Sequence, residues 1–176
     1  MSVIDKFRYK YDITDAKDYT AESRDLRSHI LSNSIRISPE IFPEIYEKIN
    51  ETILSLSIPE VYEFFITPNN DFNAFCFSIN TNECVIVINS RVIDLLSTDE
   101  LMFIIGHEIG HHYYSHPSLS INDQSINKKT YLTQLCLSRN MEITCDRLGL
   151  AAIKKFDTAA KAILKIVSGL NDKYIN

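Results

Sequence analysis

The spacing of hydrophobic residues in the first third of the chain predicts two helices. Residues 1–37 are polar and rich in tyrosine, with a helix expected at about Ala21 to Leu31. Ser38-Pro39 has the pattern of an N-cap followed by proline at the first helical position. Isoleucine then recurs every four residues, which predicts a core-facing helix to about Leu56; these residues are Ile41, Ile45, Ile49 and Ile53.

The stretch after Pro59 has the pattern of β-strands. Three short hydrophobic segments, rich in β-branched and aromatic residues, are separated by turn-forming Asn, Asp and Pro residues. They are Val61 to Ile66, Ala74 to Ile79 and Cys84 to Ile88. We expect them to form a small antiparallel sheet.

Helical patterns return in the second half of the chain. Ser97 and Glu100 form a Ser-x-x-Glu capping box, which predicts a helix that runs to about Tyr114 and ends before Pro117. After a polar loop, two more helices are expected, at about Thr130 to Lys154 and from Asp157 as N-cap to Ser168, with Gly169 as the stop. This order of elements predicts an α+β domain over residues 38–176, preceded by a helical extension at residues 1–37.

Composition narrows the class of protein. The chain has 176 residues, 45% hydrophobic and 23% charged, as expected for one globular domain. A net charge of −5 without a Lys/Arg cluster predicts no nucleic-acid partner. No apolar run reaches the roughly 18 residues of a membrane span, and the first residues show no secretory signal. The protein is therefore expected to be cytoplasmic.

The four cysteines contain no Cys-x-x-Cys pair. In a chain without an export signal, buried thiols are favoured over disulfides or a thiolate zinc site. The residues are Cys76, Cys84, Cys136 and Cys145.

The segment His107-Glu108-Ile109-Gly110-His111 carries the clearest chemistry. In a helix, its two histidines lie one turn apart on one face, with a carboxylate beside them. Two neutral imidazoles suit zinc, and the glutamate can take a proton from a water molecule on the metal. The alternative is a helix with two unrelated exposed histidines. The apolar residues expected to hold another side of this helix on the core are Leu101, Ile104, Ile105 and Ile109.

A catalytic zinc site needs a third protein ligand, and the long helix offers one. Glu142 and Asp146 are four residues apart, so they share a face of that helix. Glu142 can ligate zinc, while Asp146 can accept a hydrogen bond from the ring N–H of a ligand histidine. The alternative is a solvated acidic face, but the paired histidines favour the ligand interpretation.

These segments together resemble the HtpX-like and CAAX-prenyl-protease-like gluzincin metallopeptidases. The resemblance covers roughly residues 73–170. The matching segments are Asn73-Ala74-Phe75, the edge strand and following segment Cys84 to Leu96, GHEIGHHYYSHP within Ser97 to Pro117, and SRNMEITCDRLGL from Ser138. Their order along the chain is also that of the family.

The resemblance implies a zincin-like metallopeptidase domain with one zinc ion. It implies His107, His111 and Glu142 as zinc ligands, Glu108 as the general base, and Asp146 as the residue that orients a ligand. It also implies that one strand borders the cleft, where an extended substrate adds as a further strand. The residues of that strand are Cys84, Val85, Ile86, Val87 and Ile88. Asn73 is either a contact to the substrate backbone or a turn residue.

Two features depart from the family. Its best-known members are embedded in membranes, and this chain has no predicted span, so lipid-modified substrates are not carried over. No His or Arg follows Lys154, so the cationic residue that often stabilises the oxyanion is missing. Candidates for that role, each equally explained by packing or exposure, are Tyr113, Tyr114, Tyr131 and Arg147.

Two further histidines follow the motif. At about 100° per residue, His116 falls half a turn away from His107. We therefore expect His116 to lie outside the site, near the C-terminus of the helix, where a positive charge is favourable. His112 is expected to be exposed or to lie just behind the ligands.

The sequence predicts a zinc-dependent endopeptidase that acts on a protein or peptide. One alternative is a regulatory peptidase of the ImmA/IrrE type, which cleaves a repressor partner. Those proteins usually carry a helix-turn-helix or sensor segment, and none is evident here. Another alternative is an inactive zinc-binding interaction protein, which the intact Glu108 disfavours.

Overall fold

A four-stranded sheet with helices on both faces makes up the described part of the chain, which is residues 22–59, 61–80, 82–116 and 128–175 of a computed structural model. The helices are α1 (Glu22–Asn33), α2 (Pro43–Leu56), α3 (Ser90–Leu95), α4 (Thr98–Tyr113), α5 (Lys128–Ile153) and α6 (Phe156–Ser168). The strands are β1 (Ile35–Arg36), β2 (Val61–Thr67), β3 (Ala74–Asn80) and β4 (Glu83–Asn89). The predicted features of residues 1–21 and of the loop after the motif helix, including Pro117, lie outside the described residues.

The sheet is mixed, so the prediction of an antiparallel sheet is wrong in part. Its order is β1-β2-β4-β3, and β2 runs parallel to β4, with Phe64 opposite Ile86. The other two pairs, β1 with β2 and β3 with β4, are antiparallel. The physical reason is the unbroken apolar run Cys84 to Ile88 within β4, which favours the interior of a sheet, so β3 folds back outside it.

The two faces of the sheet bury different layers. On one face, Cys84, Ile86 and Ile88 of β4 join the main core with residues of α2 and α4. On the other face, Val85 and Val87 pack with residues that include Ile30 of α1. Because successive side chains of a strand point to opposite faces, this arrangement buries all five residues from Cys84 to Ile88.

Residues of the predicted N-terminal extension contribute to this sheet. Ile35 and Arg36 of β1 pair with Ile66 and Phe65 of β2, and Ile30 is buried against the sheet. Neither β1 nor the short helix α3 was predicted from the sequence. The division of the chain after residue 37 stays a prediction.

Helix α2 begins four residues later than predicted. Its first residue is Pro43, with Phe42 at the N-cap, whereas Pro39 lies in a turn. Proline disfavours helical geometry in the residue before it, so Pro43 at the first helical position prevents an earlier start. The helix ends at Leu56, as predicted, and Ser57 follows in the left-handed conformation with φ of 53°.

Helix α4 is the centre of the molecule. Its capping box forms as predicted, since Ser97 Oγ accepts from the Glu100 backbone N–H and the Glu100 carboxylate accepts from the Ser97 N–H. The helix packs against α2, α5, α6, β3 and β4, so it is buried on nearly every side and not on one face alone. The buried histidines of α4 therefore point toward other parts of the protein and not toward solvent.

The last two helices agree closely with prediction. Helix α5 ends at Ile153, and α6 begins at Phe156 with Lys155, and not Asp157, at the N-cap position. Gly169 closes α6 in the left-handed conformation, with φ of 70°. Of the four cysteines, Cys84 and Cys145 are buried as predicted, whereas Cys76 is half-buried and Cys136 is exposed.

Candidate metal centre

Small residues bring α5 close to α4. A Cβ atom added to Gly106 would lie 2.9 Å from the Gly149 Cα, and one added to Gly110 would lie 3.1 Å from the Cys145 Sγ. A Cβ at Gly149 would lie 2.6 Å from the backbone oxygen of Phe103. The two helices therefore cross at nearly backbone contact. At this crossing, the face of α5 that contains the acidic residues packs against the face of α4 that contains the histidines.

Three donor atoms converge where the two faces meet. The Nε2 atoms of His107 and His111 lie 3.1 Å apart. The Glu142 Oε2 atom lies 3.3 Å from the first and 3.7 Å from the second. A tetrahedral zinc ion with bonds of about 2.0–2.2 Å needs ligand atoms about 3.3–3.6 Å apart. The observed distances bracket that range, so the three side chains fit a zinc ion.

Asp146 lies behind His107. Its Oδ1 atom is 2.9 Å from His107 Nδ1, the ring nitrogen that faces away from Glu142. A carboxylate in this position accepts the Nδ1–H proton, which leaves the Nε2 lone pair directed at the donor cluster. The aspartate is one turn beyond Glu142 on α5, so a single helix supplies both carboxylates.

The electrostatics of the cluster favour a positive charge. Burial disfavours the protonated imidazole of His107, but hydrogen bonds to Asp146 and Glu142 and the nearby charge of Glu108 outweigh it. Together they raise the pKa of His107 to about 10. The carboxylates therefore favour a positive charge on the His107 ring. A bound divalent metal ion would balance their negative charge more strongly.

Cys145 offers a second possible donor set. Its thiol forms a buried group with His107 and His111, in which the candidate ligand atoms all lie within 4.8 Å of one another. The sequence pointed to a buried thiol here and not to a metal ligand. The group is compatible with a metal, although 4.8 Å is a looser limit than the distances among the two histidines and Glu142.

Glu108 lies between the two histidines in sequence and is half-buried. It contributes to the raised pKa of His107, so its carboxylate is close enough to act on the cluster. Its role as the general base stays a prediction.

The prediction that His116 lies outside the site is wrong. Its Nδ1 atom is 3.4 Å from His111 Nδ1 and 3.4 Å from the Cys145 Sγ. The prediction extended helical geometry to residue 116, but α4 ends at Tyr113, and Ser115 turns the chain back with φ of 49°. His112 is buried and lies 2.6 Å from the Ser78 Oγ of β3, which joins α4 to the sheet.

The strand expected at the sheet edge is an interior strand. Residues Cys84 to Ile88 pair with β2 on one side and with β3 on the other, so the expectation of an edge strand is wrong. An additional strand cannot pair with β4 because both of its edges are used. Asn73 immediately precedes β3, and its backbone oxygen accepts a hydrogen bond from the Asn89 N–H. Its role towards a substrate stays a prediction.

The four candidates for stabilising an oxyanion lie at exposed positions, and these are Tyr113, Tyr114, Tyr131 and Arg147. Tyr114 stacks on the ring of His116, with centroids 5.6 Å apart. For all four residues, a role in stabilising the oxyanion stays a prediction.

Sequence reasoning missed two features of the site. The spacing of Gly106 and Gly110 on α4, and of Cys145 and Gly149 on α5, is a small-xxx-small pattern that permits close helix packing, and it is visible in the sequence. The placement of His116 has no such signal, because Ser115 adopts its left-handed conformation without a glycine.

Comparisons with known proteins agree with this geometry. The model for peptidase family M48 matches residues 39–133, more than half of the 176 residues, and the match includes the two histidines and Glu108. It ends before Glu142, so the third donor depends on the geometry alone. A search of curated proteins finds no match. Within the described residues, no helix is long and apolar enough to cross a membrane.

Proposed function

This chain belongs to peptidase family M48, and we propose that it is a zinc-dependent endopeptidase whose single zinc ion is held by His107, His111 and Glu142. The observation that carries the proposal is the convergence of the three donor atoms at 3.1, 3.3 and 3.7 Å from one another. These distances suit tetrahedral zinc with a fourth position for water or substrate. The proposed substrate is a protein or peptide.

The residues around the metal have distinct roles in peptide-bond hydrolysis. A bound zinc ion would polarise the scissile carbonyl and make a water molecule acidic. Glu108 takes the proton of the attacking water and returns it to the nitrogen of the departing amine. Asp146 keeps His107 in the tautomer that presents Nε2 to the metal.

The interior position of β4 changes the proposed path of the substrate. Strand β3 is the last strand in the order β1-β2-β4-β3, and it packs against α4. An extended peptide held by main-chain hydrogen bonds would therefore lie along β3 and not along β4. The hydrogen bond between Ser78 and His112 fixes the position of β3 relative to the motif helix.

The variant Glu108→Gln tests the chemistry. It keeps the size of the side chain but removes the base, so we expect zinc content to be unchanged and hydrolysis of casein or a peptide library to fall by at least about 100-fold. Glu51→Gln, at an exposed position on α2, is the matched control and should retain full activity. A chelator should abolish wild-type hydrolysis, and added zinc should restore it.

Two outcomes would contradict the proposal. Hydrolysis retained by the Glu108→Gln variant would remove Glu108 from the mechanism. A wild-type protein that binds zinc but hydrolyses no peptide would favour a zinc-binding interaction protein. The inactive variant can also identify the substrate. A substrate is a protein that this variant retains from a lysate and that wild type cleaves.

A further inference from the structure

We propose that His116 is a positioning residue, which holds the zinc ligand His111 through a hydrogen bond between their Nδ1 atoms. This inference rests on the proposed function only in requiring that His111 binds the metal. It assigns a role to a residue outside the His-Glu-x-x-His motif, at a position that helical geometry would place on the far side of the helix.

The backbone turns at the end of α4 so that His116 lies against His111. Helix α4 ends at Tyr113, and the backbone of Ser115 then takes the left-handed conformation, with φ of 49°. The His116 backbone N–H donates to the His111 carbonyl oxygen at 3.0 Å. Their rings meet edge to face, with centroids 5.5 Å apart, and the Nδ1 atoms are 3.4 Å apart. The two residues are therefore joined through both main chain and side chain.

The required tautomers are consistent with this contact. His111 presents Nε2 to the donor cluster, so its other ring nitrogen, Nδ1, carries the proton and donates. His116 Nδ1 must then be an acceptor, with its own proton on Nε2. The Cys145 thiol lies 3.4 Å from the same Nδ1 atom and can donate to it as well.

Each zinc-binding histidine then has its own acceptor behind it. His107 has the carboxylate of Asp146 at 2.9 Å, and His111 has the neutral ring of His116 at 3.4 Å. The neutral acceptor orients its histidine without adding negative charge to a cluster that already contains Glu108, Glu142 and Asp146. Stacking on Tyr114, at an interplanar angle of 23°, fixes the plane of the His116 ring.

Two substitutions distinguish the effect of the hydrogen-bond acceptor of His116 from the effect of its ring volume. His116→Phe keeps an aromatic ring but removes the acceptor, whereas His116→Asn keeps an oxygen acceptor near the position of Nδ1. His29→Phe, at an exposed position on α1, is the control. The zinc affinity of each full-length protein is measured by competition with a chelator of known affinity, together with the melting temperature of the metal-free form.

We expect His116→Phe to weaken zinc binding by about 10- to 100-fold, the usual effect of losing a residue that orients a ligand. His116→Asn should recover most of that loss, and the control should bind as wild type. Equal weakening in the Phe and Asn variants, or wild-type affinity in the Phe variant, would overturn the proposal. A wild-type protein that binds no zinc would instead contradict the proposed function.

A spectroscopic measurement on the zinc-loaded wild type tests the same contact without a substitution. Nitrogen-15 chemical shifts of the histidine rings report which nitrogen carries the proton. The proposal predicts a proton on Nδ1 of His111 and on Nε2 of His116. A proton on Nδ1 of His116 would contradict it, because two N–H groups cannot form the hydrogen bond.

Discussion

The two ends of helix α4 each bury acidic side chains, but they balance the negative charge differently. At the N-terminal end, Glu100 accepts from the Lys165 ammonium at 2.8 Å and from the Ser97 backbone N–H at 2.7 Å. Lys165 is only 1% exposed and also donates to Asp172. At the C-terminal end, Glu142 and Asp146 face His107 and His111.

The difference between the ends separates a structural cluster from the proposed metal site. Burial disfavours the ammonium of Lys165, but hydrogen bonds to Asp172 and Glu100 outweigh it and raise its pKa. That end therefore contains its own cation, the Lys165 ammonium. At the other end the cation is a proton on His107, whose pKa is raised to about 10, and a metal ion can replace it. Buried acids alone do not identify a site; donors at metal-ligand distances do.

The largest effect on zinc binding is expected from Glu142→Ala. This variant removes one of three proposed ligands, so its zinc affinity should fall by more than the roughly 100-fold typical of an orienting residue. Zinc at about 100 times its dissociation constant stabilises a protein by about 2.7 kcal/mol. The zinc-dependent rise in melting temperature seen with wild type should therefore disappear, as measured by thermal unfolding with and without zinc.

Cys145→Ala is the matched test on the same helix. If Glu142 is the third ligand, this variant keeps nearly full zinc affinity, because the thiol then lies near the ligands but does not bind the metal. Loss of affinity in Cys145→Ala with retention in Glu142→Ala would reverse the assignment and favour the histidine–cysteine group.

Lys165→Met acts at the other end of the helix and should lower the stability of the protein. Removing one partner of a buried ion pair leaves Glu100 buried without its cation, which costs about 3–5 kcal/mol. Chemical denaturation measures the loss. Zinc affinity of the folded protein should not change, because the N-terminal cluster and the metal centre are separate. A parallel loss of zinc affinity would show that the two ends are coupled.

The same pair predicts a dependence on pH. Because the pKa of Lys165 is raised above 10.5 in the folded protein, its contribution to stability is complete below pH 10.5. The contribution is lost as the pH rises through the folded-state pKa. The stability difference between wild type and Lys165→Met should therefore shrink at high pH, and a constant difference would contradict the ion-pair explanation.

Gly149→Ala is expected to have the smallest effect, but it should lower both the stability and the zinc affinity of the protein. The added Cβ would lie 2.6 Å from the Phe103 carbonyl oxygen, so α5 must shift, at a cost of about 1–3 kcal/mol. Because α5 carries Glu142, zinc affinity should fall together with stability. Arg147→Ala, at an exposed position of the same helix, should change neither property. Unchanged zinc affinity in the glycine variant would mean that helix packing does not set the position of Glu142.

Local signals predicted the two helices of the site well. The capping box at Ser97 and Glu100 gave the start of α4, because side-chain caps act within four residues. The four-residue spacing on α4 and on α5 placed His107 with His111 and Glu142 with Asp146, since helical faces follow from sequence alone. That the two faces meet was inferred from zinc chemistry.

Features that depend on tertiary packing were not predictable in the same way. The order of the strands was missed, although the unbroken apolar run of β4 is the pattern of an interior strand. His116 was misplaced because nothing in the local sequence shows that the chain turns back at Ser115. Strand β1 has only two residues, too few for a periodic pattern.

X-ray absorption spectroscopy of the zinc-loaded protein tests the central assignment most directly, because it distinguishes sulfur from nitrogen and oxygen ligands by distance. Two histidines and Glu142 predict scattering atoms at about 2.0–2.2 Å only, with the multiple-scattering signature of two imidazoles. A sulfur atom at about 2.3 Å would identify Cys145 as a ligand and contradict the assignment of Glu142.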